Sequence, residues 1–487
     1  MEILNKKISK AVERPVTVLQ FGEGNFLRGF VDYMIDVANE KGVFNGNIAI
    51  VKPIEYGSLD MFKEQECQYT LSLRGKEGGE TKVENRIITS ISDAVAAIEE
   101  YDKYAEYAKL DTLRFVVSNT TEAGIVFDKE DKFEANPPKT FPGKLTKLLF
   151  ERYTHFNGAI DKGLIIIPCE LIENNGPTLK KCILEFIKLW NLSDEFKTWV
   201  LEACIFCSTL VDRIVTGYPR EEAESIWETL GYRDNLLNTG EPFALWVIES
   251  EKDISSELPL DKAGLPVVFT ADQTPYRERK VRILNGAHTS FVLASYLKGN
   301  DYVKESMEDP TVRQFMMNTL YTEVIPTLSL PEEDCKEFAK AVIERFENPF
   351  IKHELLSISL NSVSKWKSRC MPSLLGYVEK FGKLPVHLTF SLAALMSFYS
   401  SNTKEDSVLI GQRGDNTYKI NDDSAVLSFF AENSSKSSPQ FTKNYLSDSR
   451  FFGQDLTKVE GLVDAVAGYL EDIRKNGMEA ALKSIIV

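Results

Sequence analysis

Histidine and cysteine are scarce in this sequence, basic residues are outnumbered by acidic ones, and long apolar runs are missing. Its 487 residues include four histidines, His155, His288, His353 and His387, and seven cysteines, Cys67, Cys169, Cys182, Cys204, Cys207, Cys335 and Cys370. An odd, scattered set of cysteines builds no disulfide framework, and free thiols fit a reducing cytoplasm. The one close pair, Cys204 and Cys207 in EACIFCSTLV, sits in an apolar frame with no second Cys or His pair nearby. That spacing predicts buried helix packing and no metal site. No stretch approaches about eighteen apolar residues, and MEILNKKISKAVERP carries no apolar signal region. A soluble, cytoplasmic protein without a membrane partner is expected. Lys and Arg number 57 against 72 Asp and Glu, leaving a net charge of −15. Such a field repels polyphosphate, which excludes nucleic acid as a main partner. Any anion site in this chain must therefore concentrate positive charge locally. No repeat of solenoid period is present, and SSKSSPQ at 434–440 is short enough for a surface connection.

What is present is a globular composition, 43% hydrophobic, in a chain long enough for two or three domains. In the first half, apolar β-rich runs alternate with helical patterns: residues 16–21, NIAIVKP at 47–53, LRFVVSNT at 113–120 and LIIIPCE at 164–170. Repeated βα units predict a parallel, doubly wound α/β sheet of the Rossmann type. From about residue 276 long helical patterns take over, as in SFVLASYLKGN, DCKEFAKAVIERFENP and VEGLVDAVAGYLEDIRKN. A dinucleotide-binding domain over 1–275 and a mostly α-helical C-terminal domain over 276–487 follow, with the boundary near ADQTPYRERK at 271–280. Nothing in the pattern fixes the oligomeric state, and a monomer suffices.

Within VTVLQFGEGNFLRGF the order is strand, glycine-rich turn, helix, the helix being read from Leu27, Phe30, Val31, Met34, Ile35 and Ala38. That order gathers backbone N–H groups and a positive helix end where a pyrophosphate is welcome. Gly22 permits the tight turn, and Gly24 lets the backbone approach a phosphate. Leu27 occupies the place of a third fingerprint glycine, and Gly29 comes two residues late. A turn that serves packing alone produces the same pattern. In a doubly wound sheet ligands collect at the carboxyl ends of the strands. Gly22, Gly24, Asn25, Phe26, Lys52, Thr120, Thr121, Glu122 and the stretch Glu170 to Gly176 fall there.

The four histidines can be judged one by one. His155 reads as surface, His387 in VHLTFSLAALM as a satisfied core histidine, and His353 after ENPFIK as a loop residue. His288 differs because Lys280 and Asn285 precede it in KVRILNGAH. On a helix beginning near Lys280, positions 280, 284 and 288 share a face, with 285 beside them. A lysine whose pKa is lowered in a dry cleft can exchange an alcohol proton while an asparagine holds the developing alkoxide. A solvated helix start with a capping role gives the same spacing.

KVRILNGAH has a K-x4-N-x2-H pattern that resembles the mannitol dehydrogenase family of polyol-specific long-chain dehydrogenases. FGEGNFLRGF, LVDRIVTG and RFENP followed by SVSK are similar to further stretches of that family, in the same order over residues 21–365. The resemblance implies NAD as cofactor, no metal, and a lysine-based proton transfer in the helical domain. It casts Lys280 as general acid and base, Asn285 with Asn175 of CELIENNG as the oxyanion site, and His288 as an orienting group. Lys365 in SVSK is similar to the family's substrate-contacting lysine. The acid-handling branch is the better fit, which implies interconversion of a hexuronate and an aldonate, D-tagaturonate and D-altronate. Fructuronate or a neutral polyol is the alternative substrate, and a non-catalytic sugar-acid sensor is the alternative class. Two departures stand out. Ser357 occupies the position eight residues before Lys365 where an arginine is expected, and Lys52 with Glu55 stands where a carboxylate normally holds the adenosine ribose. Lys365 and Arg369 in SVSKWKSR share a helical face and are the expected partners of the substrate carboxylate.

Overall fold

The structure is a computed structural model that describes residues 1–486. It divides into two units, the first formed by Met1–Arg74 with Lys82–Gln273, the second by Gly75–Thr81 with the chain from Thr274 on.

The first unit is built on a six-stranded sheet. Its strands are β1 (Val16–Phe21), β2 (Asn47–Lys52), β3 (Ile91–Ala96), β4 (Phe115–Ser118), β5 (Ile165–Pro168) and β6 (Ile205–Phe206). They lie in the order β3-β2-β1-β4-β5-β6, every neighbouring pair parallel. Because side chains alternate across a strand, Val18, Ile48, Ile50, Val117, Ile165 and Ile167 enter one core, and Leu19, Phe21, Ala49, Val51, Val116 and Ile166 the other. Both faces are covered, so the strands read as continuous apolar runs rather than alternating ones. The first core takes Val31, Met34, Ile35 and Ala38 from the Val31–Glu40 helix. The second takes Leu145 and Leu148 from Phe141–His155, and Leu179 and Ile183 from Asn175–Leu189. The chain runs outward from β1 to β2 and β3, then returns to β4 on the other side of β1. The carboxyl ends of β1 and β4 are thus the topological switch point, the expected ligand position in such sheets.

The expected helix over 27–38 is two helices. Asn25–Arg28 ends at Gly29, and Val31–Glu40 begins beyond Phe30. Gly29 explains the break: a Cβ there would lie 2.8 Å from Val215 Cγ2, so the backbone packs directly on the Val215–Gly217 strand. The close-packing role of a third fingerprint glycine thus falls two residues late, while Leu27 is core. The Cys204–Cys207 reading also needs correction. Both thiols are buried, but they flank β6 at a strand connection and belong to no helix. Two small sheets escaped the sequence reading: Tyr69–Glu77 and Glu80–Ile88 with Val215–Gly217 and Asn238–Gly240, and Ser208–Asp212 with Leu245–Glu249 and Val267–Thr270.

The second unit is mainly helical. Gly286–Lys298 is buried along nearly its whole length and packs on Val386–Phe398, itself buried from His387 to Phe398 apart from Ser397. Glu332–Phe346 and Leu462–Asn476 complete the expected long helices. A three-stranded antiparallel sheet, Lys404–Glu405, Val408–Arg413 and Asn416–Ile420, interrupts them. Its two-residue Gly414-Asp415 turn, with Gly414 at φ +59°, is a legible hairpin signal inside VLIGQRGDNTYKI.

Among the described residues no helix is long and apolar enough to cross a membrane.

Candidate active site

The glycine turn leaves β1 with Gly22 at φ +120°, a conformation that L side chains rarely adopt. Gly22 N donates to Val51 O at 3.0 Å, and a Cβ on Gly22 would meet Asn119 O at 3.2 Å. Gly22 is therefore needed by the backbone itself. Gly24 is different: its φ of −67° is open to any residue, and a Cβ there meets nothing within 4 Å. No side chain caps the Asn25–Arg28 turn that follows. An uncapped turn start of this kind is suited to a phosphate. Phe26 stacks on Phe30, with ring centroids 5.0 Å apart. Arg28 holds the turn from below, donating to Leu236 O at 2.7 Å and to Asn25 Oδ1 at 2.5 Å.

At the ends of β4 and β5 a buried carboxylate does the holding. Glu170 accepts from Ser118 Oγ, Thr120 N and Thr120 Oγ1, each at 3.0 Å. Burial pushes its pKa up, and these donors pull it back. Thr121 and Glu122 extend beyond this clasp as exposed residues, Thr121 at φ +152°.

Lys52, at the end of β2, is bonded within and beside its own loop. Buried at 2% exposure, its ammonium donates to Ile54 O at 3.0 Å, Glu55 O at 3.4 Å and Glu99 Oε1 at 3.0 Å. It shapes the loop after β2 and leaves Glu55 exposed at the surface. Beyond that loop lies a cavity of about 630 Å³ between Pro53–Tyr56 and the 130–139 segment, with Lys144 in its wall. Burial brings the Lys144 pKa down to about 8.

Asn175 is also engaged. Its Nδ2 donates to Pro168 O at 3.0 Å and Glu170 O at 3.1 Å, while its Oδ1 accepts from Gly176 N and Thr209 N, both at 2.9 Å. These bonds fasten the start of the Asn175–Leu189 helix to two strands.

In the second unit Lys280–Asn285 is a π-helical turn between Thr274–Arg279 and Gly286–Lys298. The sequence reading assumed α-helical spacing. The wider turn instead sends Leu284 into the core and sets Lys280 and Asn285 one turn apart. Asn285 O accepts from Thr289 Oγ1 at 2.9 Å, and Thr289 Oγ1 accepts from Arg369 Nη1 at 3.3 Å. The Ser362–Arg369 helix reaches this spot because Gly286 has no side chain: a Cβ there would lie 3.3 Å from Arg369 O.

Lys365, one turn back on the same face, donates to Ile358 O at 2.9 Å. Its pKa is lowered by burial and by the Arg369 guanidinium, against a pull from Asp422. Lys367 points elsewhere, toward Gly453. Ser357 is exposed and donates only to Glu354 O.

His288 lies within this cluster. Phe346 stacks on its ring at 4.2 Å, His353 meets it edge-on at 5.3 Å, and its Nε2 is enclosed without a partner among the described residues. Burial, followed by His353, Arg345, Arg369 and Lys365, drives its pKa well below the ordinary value, so the ring is neutral. Arg345 and His353 are the neighbours that sequence reasoning missed. Arg345 belongs to RFENP, whose motif was visible but whose side chain had no assigned role. His387 is the core histidine expected, its Nδ1 2.7 Å from Glu323 Oε1, and His155 is exposed.

Two halves of one family describe this arrangement. Residues 16–262 match the mannitol dehydrogenase Rossmann domain, and residues 272–474 the mannitol dehydrogenase C-terminal domain. The chain belongs to the mannitol dehydrogenase family. It is an oxidoreductase acting at a CH–OH group. Among curated members of the family it is 44% identical to the altronate oxidoreductase of Enterobacter sp. (strain 638), with all of both chains covered. Its fold is similar to that of Pseudomonas fluorescens mannitol 2-dehydrogenase, solved as a ternary complex with NAD and D-mannitol, at 22% identity and a TM-score of 0.66 over 100% of this chain and 99% of that one. It is also similar to a substrate-free D-sorbitol dehydrogenase, at 21% identity and a TM-score of 0.78 over 99% and 100% of the two chains. No group of three or more His, Cys, Asp or Glu side chains among the described residues could hold a metal ion.

Proposed function

We propose that this member of the family is an NAD-dependent oxidoreductase that interconverts D-tagaturonate and D-altronate. The observation that carries the reading is the cluster of Arg345, Lys365 and Arg369 around the neutral His288, in a protein whose net charge is −15. Three cations gathered at a helical turn that also bears Lys280 and Asn285 suit a substrate with a carboxylate at one end and a carbinol at the other. The altronate oxidoreductase name of the 44% identical relative agrees with this.

In this reading Lys280 gives a proton to the oxygen of the reduced carbonyl and takes it back in the reverse direction. Asn285, whose side-chain amide has no hydrogen-bond partner among the described residues, donates to the oxygen as negative charge develops. His288, kept neutral, orients the chain of hydroxyls. Lys365 and Arg369 hold the carboxylate, Arg369 with the two-pronged geometry open to a guanidinium. NAD supplies or accepts the hydride when bound. The turn at Gly22, Gly24, Asn25 and Phe26 would take its pyrophosphate, and Thr120, Thr121 and Glu122 would border it. With Lys52 turned onto its own loop, no buried ammonium at the end of β2 is offered to a 2′-phosphate, which supports NAD over NADP.

The test is the loss of NADH absorbance on mixing the protein with tagaturonate, beside fructuronate and fructose. Tagaturonate should be turned over fastest. Lys280→Ala should lower turnover on the order of 10² to 10⁴-fold with NADH binding nearly unchanged. Equal rates on the three ketoses, or a Lys280→Ala variant with near-normal turnover, would refute the reading.

A further inference from the structure

His353 is an ionisable group at this site that neither the sequence motifs nor the proton-transfer chemistry accounts for. Its ring stands edge-on to His288 at 81°, opposite in character to Phe346, which lies nearly flat on that ring at 27°. The backbone of His353 is fixed, its carbonyl accepting from Val303 N at 3.0 Å. Its side chain makes no hydrogen bond to any described residue and is half-buried. A polar ring held in place by its backbone and by a neighbouring imidazole, with both nitrogens unpartnered, is built to meet something outside the protein.

The charges around it say what that is. Lys365 acts directly on His353, while Arg345, Arg369 and Lys365 all act on His288. The acid on this side is Asp422, which opposes the burial of Lys365 and whose Oδ2 accepts from Tyr399 OH at 2.6 Å. On its own segment His353 is flanked by Lys352 and Glu354, both exposed. Lys365 and Arg369 set positive charge beside the two rings, and an anion is its complement.

We propose that His353 is a specificity-determining residue that hydrogen-bonds the carboxylate end of the sugar acid beside Lys365. This rests on the sugar-acid reading above. A consequence separates it from a packing role. Burial and Lys365 lower the His353 pKa, so without substrate the ring is neutral near pH 7. A bound carboxylate offsets this positive charge and raises that pKa, so the acid should bind together with a proton. Affinity for the acid should therefore fall as pH rises through neutrality, and affinity for an uncharged ketose should not.

The experiment uses two variants of the full chain. His353→Phe keeps the ring against His288 and removes both nitrogens; His353→Gln keeps a hydrogen-bonding group that cannot titrate. For His353→Phe the KM for tagaturonate should rise by about tenfold or more, as expected for a lost contact to a charged group, with kcat less affected and the KM for fructose unchanged. For His353→Gln that KM should stay close to wild type. Calorimetric titration of altronate in two buffers of different ionisation enthalpy should show proton uptake in the wild type and none in His353→Gln. Equal losses on acid and neutral ketose, or proton uptake that persists in His353→Gln, would overturn the proposal. Normal tagaturonate turnover in the wild type alongside indifferent His353 variants would sink this inference alone, whereas a wild type silent on tagaturonate would sink the function on which it rests.

Discussion

Asp32→Asn should make the first unit more stable at mildly alkaline pH and leave it nearly unchanged in acid. Asp32 is fully buried beneath the glycine turn, where Gln20 links it to Gly22 by donating to both Gly22 O at 3.1 Å and Asp32 Oδ2 at 3.5 Å. Tyr69 OH reaches the same oxygen at 3.4 Å, and Oδ1 has no donor among the described residues. Two long contacts solvate a carboxylate poorly, and burial accordingly pushes the pKa from 3.8 to about 8 against the pull of Arg28. The folded value is raised above the unfolded one. The stabilisation is thus complete below the unfolded pKa and is lost as pH rises through the folded pKa, because the unfolded chain releases a proton that the folded chain keeps. At about 1.4 kcal/mol per pH unit, this one group costs up to about 4 kcal/mol between roughly pH 5 and pH 8. Asparagine keeps the shape and cannot ionise. The difference in stability between variant and wild type should therefore grow by about 3 to 4 kcal/mol over that range. Urea unfolding followed by tryptophan fluorescence measures it, since Trp190, Trp199, Trp227 and Trp246 lie in the first unit and only Trp366 in the second. Parallel pH curves for the two proteins would show that Asp32 is ionised in the fold, and the argument would fail.

Two further substitutions check the turn and the carboxylate contact. Gly22→Ala should destabilise the protein by about 1 to 3 kcal/mol through its positive φ, measured as a lowered melting temperature. Gly24→Val should melt like the wild type yet bind NADH much more weakly, and unchanged NADH binding in the folded variant would remove the phosphate from this turn. Arg369→Met should cost roughly 2 to 4 kcal/mol in kcat/KM for tagaturonate and far less for fructose. Equal losses on the two would mean that its bond to Thr289 is structural.

The doubly wound sheet was legible because its strands are buried on both faces and announce themselves as short apolar runs. The small sheets were not. Asn238–Gly240 and Val215–Gly217 are three residues each, too short to carry a period, and exist through pairing with distant partners. At the site, residue types and motif order pointed to Lys280, Asn285, His288, Lys365 and Arg369, and the structure gathers the last four around Thr289 and Phe346. Sequence could not tell that Lys52 and Asn175 are engaged locally, because their hydrogen bonds run mostly to backbone groups that only the fold brings near. Nor could it find Arg345 and His353, whose approach to His288 depends on how the Glu332–Phe346 helix and the loop after it pack.

The π-turn shows most clearly why spacing alone misleads. On an α-helix, residues five apart point about 140° away from one another, so Lys280 and Asn285 would serve different sides. Bonding to the fifth residue widens the turn until the two nearly align. Such a turn packs less favourably than an α-helix and needs support from outside. Arg282, in its middle, supplies that support: buried, it donates to Ser373 Oγ, to Thr327 Oγ1 at 2.7 Å and to Glu278 Oε1 at 2.9 Å. Burial lowers its pKa while Glu278 opposes the shift, so the guanidinium stays charged and its donors stay fully directed. Arg282, between the lysine and the asparagine of KVRILN, thus holds their shared geometry in place.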